Sequence, residues 1–309
     1  VRDNAYIMQH LSLENDRIHH SSIDKNTWEQ IKLRTDDAKM EAELIQNFHD
    51  RYGSKWHKSS RNHYDTQIVS VEEARQKLGI PAGRKVAIIY SHILYDTLFF
   101  FGTDLFKDYA EWLVETTRAA IANPEIDWLI KVHPSNLWRG EIDSLLKGRF
   151  EEERLIERNF GTLPRHVRII GADTMINPYT WFQLADYGVT VRGTSGLEMA
   201  ALGKTVITAG TGRYEGNGFT VDPKTAGEYL DILRGIQSLP DPAAAQIRLA
   251  KRYAHAIFML KPYTFNSIKP ALRVGCSKVY ASDDIIYLPQ PPNGVIPMDL
   301  QGFGNWALH

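Results

Sequence analysis

The chain holds one cysteine, Cys276, among 309 residues. That excludes an intrachain disulfide and a cysteine-rich metal centre, and a reducing, cytoplasmic setting is the expectation. Neither charge sign is in excess: 36 Lys and Arg against 37 Asp and Glu give a formal net charge of −1. Such a balance supplies no whole-chain attraction for nucleic acid or anionic membrane. Aromatic residues are not interleaved with basic ones as on nucleic-acid platforms. Long apolar runs are missing as well. The most apolar stretch, 86–101, is interrupted by Ser91, His92 and Asp96 and does not read as a membrane span. The first residues, VRDNAYIMQH, do not read as a signal peptide. The chain starts with Val1, and the expectation is a piece of a longer protein.

Several familiar signatures are absent. There is no P-loop, and no GxGxxG follows the first strand, which argues against a dehydrogenase-type dinucleotide fold. GTSGL at 193–197 has Leu197 where a nucleophile elbow needs glycine. His19-His20 lacks a matching ligand set, so no metal site is expected. No internal repeat or low-complexity tract occurs.

What remains is ordinary globular composition, 43% hydrophobic, enough for two domains or one large one. Residues 1–80 are polar and helical in pattern. Apolar positions Trp28, Ile31, Leu33, Met40, Leu44, Ile45 and Phe48 mark one or two helices over 25–52, and VEEARQKLG a short one over 71–79. From 81 to 240 strands alternate with helices. Strand-type runs start at 86, 127, 167, 187 and 205. Helices are expected from Thr103 or Asp104 through Ala122, over 141–157, 178–185, 197–202 and 225–236. This grammar gives an α/β fold, a Rossmann-like, doubly wound, mostly parallel sheet. Residues 241–309 read as a long helix at 243–260 followed by a tail that looks irregular from Ser282.

The chain is organised around DYGVTVRGTSGLEMAALGKTVITAGTGRYEGNG, residues 186–218: strand, glycine-bearing turn, helix, strand, glycine-rich loop. Free N–H groups and the helix dipole at such a turn favour an anion, most often phosphate. Ligands of open α/β sheets bind beyond the carboxyl ends of the strands. Three sequences fall there: His92 to Asp96, Lys131-Val132-His133-Pro134, and Arg192 to Glu198 joined by the loop 210–218. His133, held extended by the following proline, can donate to a phosphate oxygen, and Lys131 adds charge. His92 and Asp96 can orient an acceptor or contact a sugar. The donor-binding candidates are Lys131, His133, Arg192, Gly193, Thr194, Ser195 and Glu198, with Gly210, Thr211, Arg213, Tyr214 and Gly218 from the loop. The catalytic candidates are His133, Asp96 and His92. Each has a plainer alternative: Thr194 or Ser195 as a helix cap, Glu198 as a solvated first-turn acid, Arg192 in a salt bridge to Asp186 or Glu198, and 210–218 as a connecting loop.

KVHP at 131–134, GTSGLEMAALGK at 193–204 and GTGRYEGNGF at 210–219 together resemble the capsule polysaccharide biosynthesis glycosyltransferases, which include the Kdo transferases of bacterial capsule assembly. The resemblance covers roughly 85–235. It implies a GT-B enzyme whose carboxyl-terminal Rossmann-like domain binds a nucleotide-sugar. By position, His133 and the backbone at Thr194 and Ser195 hold the donor phosphate, and Glu198 holds the ribose. The helix at 243–260 matches the helices that pack back across GT-B proteins. The first 80 residues are too few and too helical for a whole acceptor domain, and read as its remnant. The CDP-glycerol glycerophosphotransferases are the nearest other resemblance, and a non-catalytic nucleotide-sugar-binding module is a third reading. The implied partners are a nucleotide-sugar, CMP-linked by resemblance, and a glycan or glycolipid acceptor. No cofactor, metal or nucleic acid is implied, and peripheral association with the inner membrane face is.

Overall fold

The computed structural model describes residues 5–8, 18–53, 66–94, 101–134, 136, 150–267, 269–270, 286–287 and 296–308. Asp96 lies outside the described residues. The strand-type runs form one parallel sheet: β1 (Val86–Tyr90), β2 (Asp127–Lys131), β3 (Val167–Ile170), β4 (Tyr187–Thr190) and β5 (Thr205–Thr208). Their order across the sheet is β3-β2-β1-β4-β5. Ile88 at the centre of β1 is in register with Leu129 on one side and Gly188 on the other. The chain order reverses between β1 and β4, which makes the crevice above their carboxyl ends the place where such folds bind ligands.

Alternation along each strand builds two cores. Val86, Ile88, Leu129 and Val206 face one, with helices α2 (Asp37–Tyr52), α6 (Pro178–Leu184), α7 (Thr194–Ala201) and α9 (Ala244–His255). Ala87, Ile89, Trp128, Ile130 and Ile207 face the other, under α4 (Tyr109–Ala122), α5 (Glu151–Phe160) and α8 (Ala226–Arg234). The fold is therefore α/β and doubly wound. Gly188 has a packing reason: a Cβ there would come within 2.6 Å of Met199 Sδ, so α7 could not lie so close to β4.

The helical segment ahead of the sheet is not a separate layer. Trp28 and Ile31 of α1 (Lys25–Lys32) and Leu44 and Phe48 of α2 share a core with Tyr253 and Ala254 of α9. Leu33 and Ile45, read from the sequence as part of this apolar face, are exposed (80% and 62%). Leu33 is already the C-cap of α1, where the helical period has lapsed. The helix α3 (Val71–Leu78) ends where expected, at Gly79 with φ +64°.

Three boundaries differ from expectation. The helix after β1 starts at Tyr109, not Thr103, because Asp108 supplies the cap by accepting the Glu111 N–H (2.7 Å). Residues 103–105 are instead bonded to the loop after β5, with Leu105 N–H donating to the Ala209 carbonyl (3.0 Å) and Thr211 N–H to the Thr103 carbonyl (2.8 Å). The helix expected over 243–260 is α-helical only to His255 and continues as a π-helical turn, Ala256–Leu260. The tail read as irregular contains α10, Met298–Leu308. Its glycines, Gly302 and Gly304, lower helix propensity and hid it. Ala5–Tyr6 also pairs antiparallel with Tyr263–Thr264, a strand pairing not visible in the polar N-terminal sequence.

Candidate functional site

A cavity of about 500 Å³ opens above the carboxyl ends of β1, β2 and β4, at the reversal point of the sheet. Its floor is the N-terminus of α7. Gly193 occupies the N-cap position, so no side chain caps the helix. The Gly193 carbonyl accepts from Gly196 N–H (3.0 Å) and from the Tyr214 hydroxyl (2.8 Å). Gly193 N–H donates to Thr190 Oγ1 (3.0 Å). Among the described residues, the amides of Thr194 and Ser195 have no such acceptor and stand at the cavity, the arrangement that favours an anion. A Cβ on Gly196 would collide with the Tyr214 hydroxyl, so glycine is required where this tyrosine braces the turn.

Two cations line the cavity with that turn. Arg213 donates from Nη1 to the Arg192 carbonyl (2.9 Å) and from Nη2 to Thr194 Oγ1 (2.7 Å). No carboxylate among the described residues pairs with it. Lys131, 8% exposed, donates Nζ to the carbonyls of Val132 (3.0 Å) and Gly171 (3.2 Å). Burial pulls its pKa down to about 8, with Asp173 and Glu152 opposing.

His133 lines the cavity beside Lys131. Its backbone N–H donates to Ser91 Oγ (3.0 Å), and Ser91 Oγ in turn donates to buried Glu152 (3.0 Å), which also accepts from Asn136 Nδ2 (2.6 Å). Burial raises the Glu152 pKa. This relay joins the ends of β1 and β2 and fixes the direction in which His133 leaves the strand.

His92 is locked into the scaffold. Val191 N–H donates to its Nε2 (3.2 Å), so Nε2 is the acceptor and Nδ1 carries the proton. The Thr190 hydroxyl donates to the same nitrogen (3.0 Å). Its ring stacks on Tyr109 at 4.4 Å between centroids. Burial, then the fields of His133, Arg192 and Arg213, hold its pKa down to about 3, so the ring is neutral near pH 7. With its Nε2 lone pair engaged and Nδ1 protonated, the ring is not poised as a base towards an acceptor.

Other sequence candidates fall elsewhere. Arg192 is paired with Asp104 and with the Phe101 carbonyl, not with Asp186 or Glu198. It ties the β4 turn to the segment after β1, at the cavity's edge. Glu198 is no solvated first-turn acid. It is 2% exposed, one turn into α7, and pairs with Arg51 of α2 at 2.9 Å. Both side chains are almost wholly buried, and the Arg51 guanidinium lies 4.3 Å over the Phe258 ring. Glu198 still borders the cavity. Gly210, Thr211, Tyr214 and Gly218 do not line it. Tyr214 lies beneath the turn, Gly210 against Asp104 and Val191, Thr211 against Thr103, and Gly218 near Leu249. The structure thus gathers Lys131, His133, Arg192, Gly193, Thr194, Ser195, Glu198, His92 and Arg213 at one cavity and leaves the rest of the glycine loop as its support.

The structure also adds residues that sequence reasoning missed. His19 and His20 line the mouth, set aside in the sequence because they lacked metal partners. Ser91 and Thr190 lie just ahead of the strand-end sequences and carry no motif. Among the described residues no group of three or more His, Cys, Asp or Glu could hold a metal ion, and no helix is long and apolar enough to cross a membrane.

Lys131 makes a testable demand on stability. Unfolded, it titrates at its ordinary 10.5; folded, at about 8. Below pH 8 both states are protonated and the folded chain bears the burial cost in full. As pH rises through 8 the folded chain loses the proton first, so that cost is relieved. Relative to Lys131→Met, the wild type should gain about 1 kcal/mol in urea unfolding between about pH 7.5 and pH 9. Parallel stability curves would show that the amine titrates normally.

No protein-family model matches the chain, and no curated protein matches it. Solved structures with a similar course include the Thermosulfurimonas dismutans KpsC β-Kdo 2,4 transferase, at 19% identity and a TM-score of 0.37, over 82% of this chain and 62% of that one. S. aureus MnaA, in a structure with UDP, is similar at 12% identity and a TM-score of 0.38, over 62% of this chain and 44% of that one. The UDP-GlcNAc 2-epimerase from Neisseria meningitidis, bound to UDP-GlcNAc, is similar at 14% identity and a TM-score of 0.39, over 70% of this chain and 50% of that one. The chain spans less than two thirds of the length of each.

Proposed function

We propose that this chain binds a nucleotide-sugar and serves a glycosyltransferase of GT-B type. The observation that carries the reading is the meeting, at the reversal point of the sheet, of the uncapped α7 amides with Arg213, Lys131 and His133 around one cavity. Backbone donors and fixed cations of this kind stabilise charge on a leaving nucleotide without reorganising. In this proposal residues 81–240 form the donor-binding unit, with 1–80 and 241–309 as flanking segments. Transfer to a glycan or glycolipid acceptor at the inner membrane face is the role proposed for the whole protein, with a CMP-linked, Kdo-like sugar as the donor suggested by the resemblance of KVHP and GTSGLEMAALGK to the capsule enzymes. No metal is required in this proposal, because the amides and cations carry the charge. Turnover lost with EDTA and restored by Mn²⁺ or Mg²⁺ would sink that part.

A melting-temperature screen of CMP, CDP, UDP and GDP tests the reading. A nucleotide at about 100 times its Kd stabilises the folded chain by about 2.7 kcal/mol. CMP is expected to give the largest shift. A shift with UDP alone reassigns the donor, and no shift with any of the four contradicts nucleotide binding.

A further inference from the structure

His19 and His20 come from a segment far in sequence from the strand-end motifs, yet they close the cavity beside Arg213. The segment is firmly placed. His19 N–H donates to the Gly212 carbonyl (2.9 Å), the Ser22 hydroxyl donates to the His19 carbonyl (2.6 Å), and Lys261 Nζ donates to the Ser22 carbonyl. The His19 ring touches both His20 (centroids 4.1 Å apart) and Phe101 (4.6 Å), and His20 in turn lies 6.0 Å from Phe101. Gly212, to which His19 is bonded, adjoins Arg213, which is bonded to Thr194. The two histidines therefore line the same cavity as Thr194 and Ser195.

The two imidazoles are held differently. Ser21 N–H donates to His19 Nδ1 (2.9 Å), so Nδ1 is an acceptor and the proton sits on Nε2. His19 is thereby fixed as a neutral ring offering one N–H. Among the described residues, neither nitrogen of His20 has a hydrogen-bond partner, so His20 can accept a proton without losing a bond.

Resting on the reading that the cavity takes a phosphate-bearing ligand, we infer that this histidine step is the outer half of the anion site: His19 donates its Nε2–H to the bound phosphate, and His20 takes a proton from solvent as that anion binds. The charges facing the pair fit this. Arg213 and Arg192 face it from the two loops and Lys261 from beyond the π-helical turn. The nearest carboxylates on those elements are already engaged: Asp104 with Arg192, and Glu215 with the amides of Gly212 and Arg213. Burial, then Arg213, His20, Arg192 and Lys261, lower the His19 pKa to about 3. Burial, then Arg213 and Lys261, lower that of His20. An anion set among these cations offsets the part of that lowering that comes from Arg213 and Lys261.

Calorimetric titration with inorganic pyrophosphate, in buffers of different ionisation enthalpy, decides the matter. Comparison with variants cancels the protonation of pyrophosphate itself. Wild type is expected to take up more protons than His20→Gln on binding near pH 7. The ratio of wild-type to His20→Gln affinity should grow about tenfold from about pH 8.5 to pH 6, within the limit of about tenfold per pH unit that one linked proton sets. His19→Ala should weaken binding about tenfold at every pH, and His19→Gln, which can accept from Ser21 and still donate, should restore most of it. Equal proton uptake and parallel pH profiles in wild type and His20→Gln overturn the coupling. His19→Ala binding like wild type overturns the contact, and so does failure of pyrophosphate to bind at all. A nucleotide-induced melting shift that persists alongside either failure leaves the nucleotide reading intact and sinks only this inference.

Discussion

Glu198→Ala should destabilise the folded chain by about 3–5 kcal/mol, the cost of leaving one member of a buried ion pair without the other. Arg51 and Glu198 are 2.9 Å apart, with side chains 4% and 3% exposed. The Phe258 ring covers one face of the guanidinium, whose Cζ lies 4.3 Å from the ring centroid. Arg51→Ala should cost a similar amount, by stranding the carboxylate at the cavity wall. Replacing both, as Arg51→Met with Glu198→Leu, should recover most of the loss, because apolar side chains of similar volume avoid the desolvation of either charge. Urea unfolding of the two single variants and the double variant gives the coupling directly. A single-variant loss below about 1 kcal/mol, the scale of an exposed pair, would mean that the pair is hydrated and not an interior link. The expectation differs from the one a first-turn surface acid gives, where Glu198→Gln changes ligand affinity and leaves the fold alone.

His133→Ala should lower turnover of the whole enzyme by about 10²–10³-fold, the scale for losing one fixed donor to a charge that grows in the transition state. Affinity for the nucleotide should fall by less than about tenfold, since the α7 amides, Arg213 and Lys131 remain to hold the ground-state phosphate. The Ser91–Glu152 relay bonds the backbone N–H of residue 133 and so survives the substitution, and urea unfolding of the same variant separates any loss of stability from loss of turnover. Single-turnover rates and titration calorimetry on the same variant separate the two effects. Equal losses in turnover and affinity would make His133 a ground-state contact only, and no loss in either would remove it from the site.

How much of this was legible in the sequence depended on distance along the chain. The five strands were, because VAIIY, DWLIK and TVIT are short apolar runs bounded by turn signals, and a buried parallel strand needs nothing more. The gathering of Lys131, His133 and Thr194 was also legible, since strand ends in a doubly wound sheet converge whatever the side chains do. Partners were not. Arg192 reads from the sequence as a phosphate ligand or as a partner of Asp186 or Glu198, and its pairing with Asp104 depends on how 103–105 runs along the loop after β5. Arg51 carries no sequence signal that singles it out. Only the packing of α2 against α7 and α9 shows that it enters the core and takes Glu198. His19 and His20 were weighed as metal ligands because adjacency in sequence was the only relation available. Their place beside Arg213 follows from a backbone bond to Gly212 that no local pattern encodes.

The central claim, that phosphate is held at the N-terminus of α7 in this cavity, is tested most directly by amide NMR during titration with a nucleotide that raises the melting temperature. The expected result is that Thr194 and Ser195 show the largest saturable shifts, with the Gly193 and Arg213 amides following at the same apparent Kd. Saturable shifts confined to another face of the molecule, with Thr194 and Ser195 unmoved, would contradict it.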